Sequence, residues 1–179
     1  VAYAVSVSTD VLGGHQFHEL TKALRAVAVD ERRGLQRAMN RQIRAAAAPV
    51  VGDVRRAALA IPDRSEARRR DQRSIRREIA RATRTEILTG RRSGVRIVVD
   101  KRRLPADSTA MAHAFEKPEG WRHPVHARPD QTRSEWTWVH QPGHPFFAPT
   151  IQRHEGEFRR AVIDAMNETA AEINRAAGR

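Results

Sequence analysis

Cysteine is absent from the 179-residue chain, which excludes disulfides, thiolate catalysis and cysteine-ligated zinc or iron–sulfur centres. Aromatic residues are scarce, at 5%, and mean hydropathy is −0.65, so the core has to be built mostly from Ala, Val, Ile and Leu. A core this lean points to a fold completed by neighbouring subunits. No run approaches the roughly 20 apolar residues of a membrane-spanning helix. The first residues hold no basic stretch leading into a long apolar one, so a secretory signal is not expected and assembly inside a cell is. Phosphate-binding glycine loops, a G-x-S-x-G elbow and a dinucleotide fingerprint are also missing. Asp100, Asp107, Glu116, Glu119 and Asp130 are scattered without fixed spacing, which is poor material for a metal-dependent nuclease. No enzyme, cofactor or catalytic residue is expected.

Positive charge, by contrast, is abundant. The chain carries a net charge of +12 and a pI of about 11.5. Between Arg64 and Arg103, fifteen Lys or Arg face five acids. Such a field attracts nucleic acid, an anionic membrane or an acidic protein face, and a solvated helix surface is the plainer alternative. From Ala67 to Arg84 the charges cover most of a helix circumference, the pattern of a protruding or subunit-bridging helix. Arg68, Arg69, Arg70, Arg76 and Arg77 are the candidate contacts to a neighbouring ring or to DNA.

The chain reads as one α+β domain with long N-terminal helices, a small antiparallel sheet of hairpins, and a C-terminal amphipathic helix packed on the sheet. Residues 1–63 hold a strand (Tyr3, Val5 and Val7 alternating) and two helical patterns, one through Phe17, Leu20, Leu24 and Val27. The other runs through Leu35, Met39, Ile43, Ala47, Val50, Val54 and Ala57. Pro49 lies inside the latter and predicts a kink or short break. Residues 64–84 form the basic helical arm, with Ile75 and Ile79 as one more stripe. Residues 85–149 hold two hairpins and a proline-rich corner: Thr85–Leu88 with Val95–Val99, then Trp121–His126 with Glu135–Gln141. Arg96 is expected to point opposite Val95 and Ile97. Residues 150–179 are the last helix, with Ile151, Phe158, Val162, Met166, Ala170 and Ile173 on one stripe and Gly178 as its stop.

All three tryptophans, Trp121, Trp136 and Trp138, fall within eighteen residues. Trp136 and Trp138 share a sheet face, which is expected to pack under Phe158 and Val162. Phe146 and Phe147, adjacent on a corner braced by Pro142, Pro145 and Pro149, are not expected to enter the same core. One of them is assigned to a neighbouring subunit, and Pro145, Phe146, Phe147 and Trp121 form the candidate subunit interface. His123 and His126 point to opposite faces of a strand. His140 and His144 flank a turn and can converge, but no third ligand stands at a fixed offset, so no metal site is assigned.

The ending from His140 to Ile173, HQPGHPFFAPTIQRHEGEFRRAVIDAMNETAAEI, resembles the C-terminus of the neck, or tail-completion, proteins of long-tailed bacteriophages. In that family a strand leads into a Pro-Phe-aromatic corner and a final amphipathic helix. Ser93–Val99, Trp121–Val125 and Trp138–Gln141 are similar to the actinobacteriophage version, the head-to-tail connector, and Arg73–Ile75 before the hairpin fits it too. The likeness runs from about Leu20 onward and departs at His126-Ala127, where family members have Phe-Gly. It implies a virion structural protein of the siphovirus type, assembled in the host cytoplasm. Its subunits form a homo-oligomeric, sixfold ring at the head–tail junction. Its partners are the head-closure or connector proteins on one side and the tail-terminator or tail-tube proteins on the other, with genomic DNA passing through the lumen. A wall of arginines in that lumen would slow the genome, so the basic run is expected to meet acidic patches on an adjoining ring. A rival class is a basic nucleic-acid-binding protein associated with the nucleoid or ribosome, and a metal-dependent phage nuclease is a third.

Overall fold

The structure is a computed structural model describing residues 29–62, 74–88, 94–125 and 136–177, together with 18, 19, 22 and 132. The expected N-terminal strand, Gly178 and most of the first helical pattern lie outside these residues, although His18, Glu19 and Lys22 are helical.

Helix α1, Val29–Leu59, is rich in Ala, Arg, Gln and Leu, which lose little side-chain freedom in a helix. Met39, Ile43, Ala47, Val50, Val54 and Ala58 recur every three or four positions, and all are buried. The helix continues through Pro49, so the expected kink or short break does not take the form of a break. Pro49 sits on the exposed side with Ala45 and Ala48, so the Ala45 carbonyl that loses its usual donor faces water, and the apolar seam continues past it.

Helix α2, Ile75–Ala82, is short. Its described residues do not protrude: Ile79, Ala80 and Ala82 are buried and Ile75 packs against the same core. Few as they are, these apolar side chains lie to one side, and Arg77 and Arg81 are exposed on the other. Thr83 closes the helix, its hydroxyl donating to the Ile79 carbonyl at 2.9 Å, and opens β1, Thr83–Leu88. The strand therefore starts two residues before the expected boundary at 85. Strand β2, Gly94–Val99, pairs antiparallel with β1, Thr83 opposite Val99 and Glu86 opposite Arg96. Val95 and Ile97 are buried, and Arg96 points to the other face as expected.

Two 3-10 turns, Lys101–Arg103 and Ala106–Ser108, lead to helix α3, Met111–Glu116, between the two hairpins. A second hairpin follows, β3 (Trp121–Val125) antiparallel to β4 (Thr137–Gln141). Its base is fixed by backbone crossing backbone. Gly120 has φ of 75°, and a Cβ there would lie 2.2 Å from the Gln141 carbonyl oxygen; one on Gly143 would lie 1.7 Å from the Lys117 oxygen. Only glycine fits at either place.

Helix α4, Ala148–Ala177, starts with Pro149 in its first turn, where a missing N–H costs nothing. Ile151, Phe158, Val162, Met166 and Ile173 are buried along it and Ala170 partly so. It runs antiparallel to α1: Gln42 donates to the Glu168 carboxylate at 2.9 Å, and His154 Nε2 donates to Asp53 at 2.7 Å. The fold is thus α+β, with the C-terminal helix and the inner face of β2 in one core alongside α1. One detail differs from expectation. Phe158 and Val162 belong to this core, whereas Trp136 and Trp138 lie outside it with their rings tilted 41° to each other, centroids 5.9 Å apart.

Candidate interaction surfaces

The proline-rich corner is built around a carboxylate. Glu116, the last residue of α3, accepts the backbone N–H groups of Phe146 and Phe147, each at 2.7 Å, and of Ala148 at 3.2 Å. Three donors that the start of α4 cannot satisfy internally thus converge on one anion, at the helix end where negative charge is favoured.

The same geometry corrects the expectation for Phe146 and Phe147. Successive N–H groups can meet one acceptor only if the backbone is curled, and in a curled backbone adjacent side chains do not alternate as on a strand. Both rings therefore enter the core, 4% and 1% exposed, in an edge-to-face pair 6.3 Å apart. Neither is left for a neighbouring subunit. Trp121 packs partly against the core, edge-on to Phe115 at 5.1 Å. Of the four expected interface residues only Pro145 is exposed.

Arg68, Arg69 and Arg70 lie outside the described residues. Arg76 is committed to the fold, donating to the Ile61 carbonyl at 2.6 Å and so tying α2 to the end of α1. Arg77 is exposed and is the one described member of that set open to a partner.

The histidines stay apart in role. His140 Nε2 lies 2.8 Å from the Glu119 carbonyl, which can only accept, so that nitrogen carries the proton and offers no lone pair to a metal. His144 lines a cavity of about 400 Å³ with Ile61, Pro62, Pro145 and Pro149. No three His, Asp or Glu side chains converge as a metal site among the described residues, and no described helix is long and apolar enough to cross a membrane.

Another cavity of about 400 Å³ lies over the outer face of the first hairpin, floored by Phe146, Phe147 and Ala112 and rimmed by charge. Arg96 pairs with Glu86 at 2.7 Å, and Arg84 reaches Asp100 at 3.0 Å and Glu86 at 3.7 Å. Burial pushes the Asp100 carboxyl up, but the Arg102 backbone N–H, the Arg84 hydrogen bond and the charges of Arg84 and Arg103 outweigh it. Asp100 therefore stays ionised below the ordinary carboxylate value. The cavity's cations are largely matched by its own acids.

The second hairpin contributes no buried residue among those described. Thr137, Val139 and His140 are exposed, Val139 by 42%, and Trp136 keeps a buried indole N–H without an acceptor. Sequence reasoning placed these tryptophans in the core because it had no means of seeing that α1, far earlier in the chain, takes the apolar stripe of α4. No known protein family, curated protein or solved structure matches the chain.

Proposed function

We propose that the chain is a structural subunit of the neck of a long-tailed bacteriophage, one member of a homo-oligomeric ring that joins head to tail and lets the genome pass. The observation that carries this reading is the β3–β4 hairpin. A two-stranded sheet is marginal in water by itself, and this one presents exposed Val139 on one face and a tryptophan pair outside the core on the other. Its long edges are unpaired among the described residues. Open edges beside apolar side chains are the features a protein hides against another chain. In a ring, each subunit offers such an element to a different face of the next, and the contact closes on itself. The resemblance of His140–Ile173 to phage neck proteins supplies the setting, and the first hairpin, also two-stranded, offers a second pair of open edges.

Light scattering on the eluting chain and cryo-EM of particles carrying it test the proposal. A closed ring with a central opening, sitting between capsid and tail, is the expected result. A chain that stays monomeric at tens of micromolar and is missing from purified particles would sink it.

A further inference from the structure

From Arg32 to Gly52 helix α1 contains no Asp or Glu. At about 100° per residue, Arg33, Arg37, Arg41 and Arg44 fall on one side of it, away from Gln42, which meets α4. All four are exposed. Arg37 donates to the Arg33 carbonyl at 3.1 Å, and none of the four has a carboxylate partner among the described residues. Gly34, Ala45 and Ala48, the small residues between and beside them, are exposed as well. Among the described residues the guanidinium groups are thus the tallest groups on a ridge about 16 Å long. The ridge ends where β1 covers the helix: Arg55, next in the same line, donates to the Thr83 carbonyl at 2.8 Å.

We infer that this ridge is a binding site for the phosphate backbone of duplex DNA, without sequence preference. It goes beyond the neck reading and does not rest on it, since a ring subunit need not touch the genome. Three polyanionic partners compete for such a ridge, and the chemistry separates them. An anionic membrane is gripped by an amphipathic helix that inserts its apolar side, but that side of α1 is sealed in the core, with Met39, Ile43 and Ala47 at 0% exposure. An acidic protein face is held through large apolar or aromatic anchors among the charges, and the ridge has none. Single-stranded nucleic acid is held by stacking on aromatic rings, also missing here. A duplex needs only cations at close approach: it presents one phosphate charge per about 1.7 Å, so about ten along this length.

The test is the binding of the full chain to a fluorescent 30-base-pair duplex of arbitrary sequence across a range of sodium chloride concentrations. Replacing Arg37, Arg41 and Arg44 with Gln should lower the slope of log affinity against log salt by about 2 to 3, at roughly 0.9 per lost contact. The Lys triple at the same positions should restore it. A control triple of equal charge loss elsewhere (Arg102→Gln, Arg153→Gln, Arg160→Gln) should leave the slope within about one unit of wild type. Circular dichroism confirms that each variant is folded. The inference is overturned if the control triple lowers the slope as much as the ridge triple, or if wild type shows no duplex binding at 50 mM salt. It is equally overturned if vesicles of phosphatidylcholine and phosphatidylglycerol bind as tightly through the same arginines.

Discussion

The carboxylate of Glu116 holds the amide of Phe147 across 31 residues of sequence, at 2.7 Å. With the amides of Phe146 and Ala148 on the same group, one side chain sets where α4 begins and how the corner curls. Charge-assisted hydrogen bonds of this kind contribute about 1.5–3 kcal/mol each at most, and they act as a unit. Glu116→Gln, which keeps the shape and removes the charge, should lower the melting temperature by roughly 3–10 °C, at about 2–4 °C per kcal/mol for a domain of this size. A melt shifted by less than 1 °C would mean that the cap contributes nothing.

Phe147→Ala removes a ring that is 1% exposed. The expected cost is about 3–5 kcal/mol of fold stability, a large part of what a domain has. Phe146→Ala should behave similarly. Denaturant titration checks both. Folded, stable variants that merely fail to assemble would return these rings to the subunit interface.

Asp100 gives the fold a predictable acid response. Its carboxyl is held below the ordinary value, so its contribution is complete above the unfolded-state pKa of about 3.9 and is lost as pH falls through the lower folded value. Asp100→Asn should therefore be less stable than wild type at pH 7, with the gap constant down to about pH 5 and closing in stronger acid. Chemical denaturation at a series of pH values reads this directly, and a gap that widens on acidification would contradict it.

Val139 is exposed by 42% on β4. Val139→Lys should leave the melting temperature within about 2 °C, as surface changes usually do, and, if the chain assembles into the proposed ring, should shift light scattering from ring to monomer. An unchanged ring would place the subunit contact elsewhere.

Arg76 and Arg77, neighbours in sequence, should separate in function. Arg76→Glu leaves the Ile61 carbonyl without its donor and should destabilise the fold by about 1–3 kcal/mol. Exposed Arg77→Glu should not. If the basic run meets an acidic face on an adjoining ring, Arg77→Glu should instead weaken head–tail joining in reconstituted particles. Because exposed charges are screened, the wild-type joint should itself loosen as salt is raised. A joint indifferent to both would remove Arg77 from the contact.

Much of the fold was legible in the sequence because it depended on period. The seams of α1 and α4, both hairpins and the outward turn of Arg96 follow from spacings of 3.6 and 2, which the chain repeats cleanly. What spacing does not carry is which seam meets which. Nothing near Phe158 says that its counterpart is α1 and not the tryptophans. Nothing near Phe146 announces a carboxylate thirty residues upstream. At Pro49, the site of the expected kink or short break, the helix is not broken: proline's cost depends in part on whether the carbonyl it orphans is buried, and Ala45 is exposed. At the candidate surfaces the sequence picked the corner by its aromatics and prolines, whereas the structure buries the aromatics and leaves open the second hairpin and the ridge on α1.

The antiparallel seam between α1 and α4 has a consequence for how the chain is made. Gln42 and Glu168 are 126 residues apart, so at roughly 5–20 residues per second α1 leaves the ribosome about 6–25 s before its partner exists. For that interval the stretch of α1 around Gln42 lacks the helix that covers it, while α2 and the first hairpin, which also pack on α1, are already made. Closing so distant a contact is also slow compared with local pairing. The emerging half-protein is therefore a natural client for chaperones, and an expression host depleted of them should yield aggregates nucleated by α1, long before any subunit could meet another.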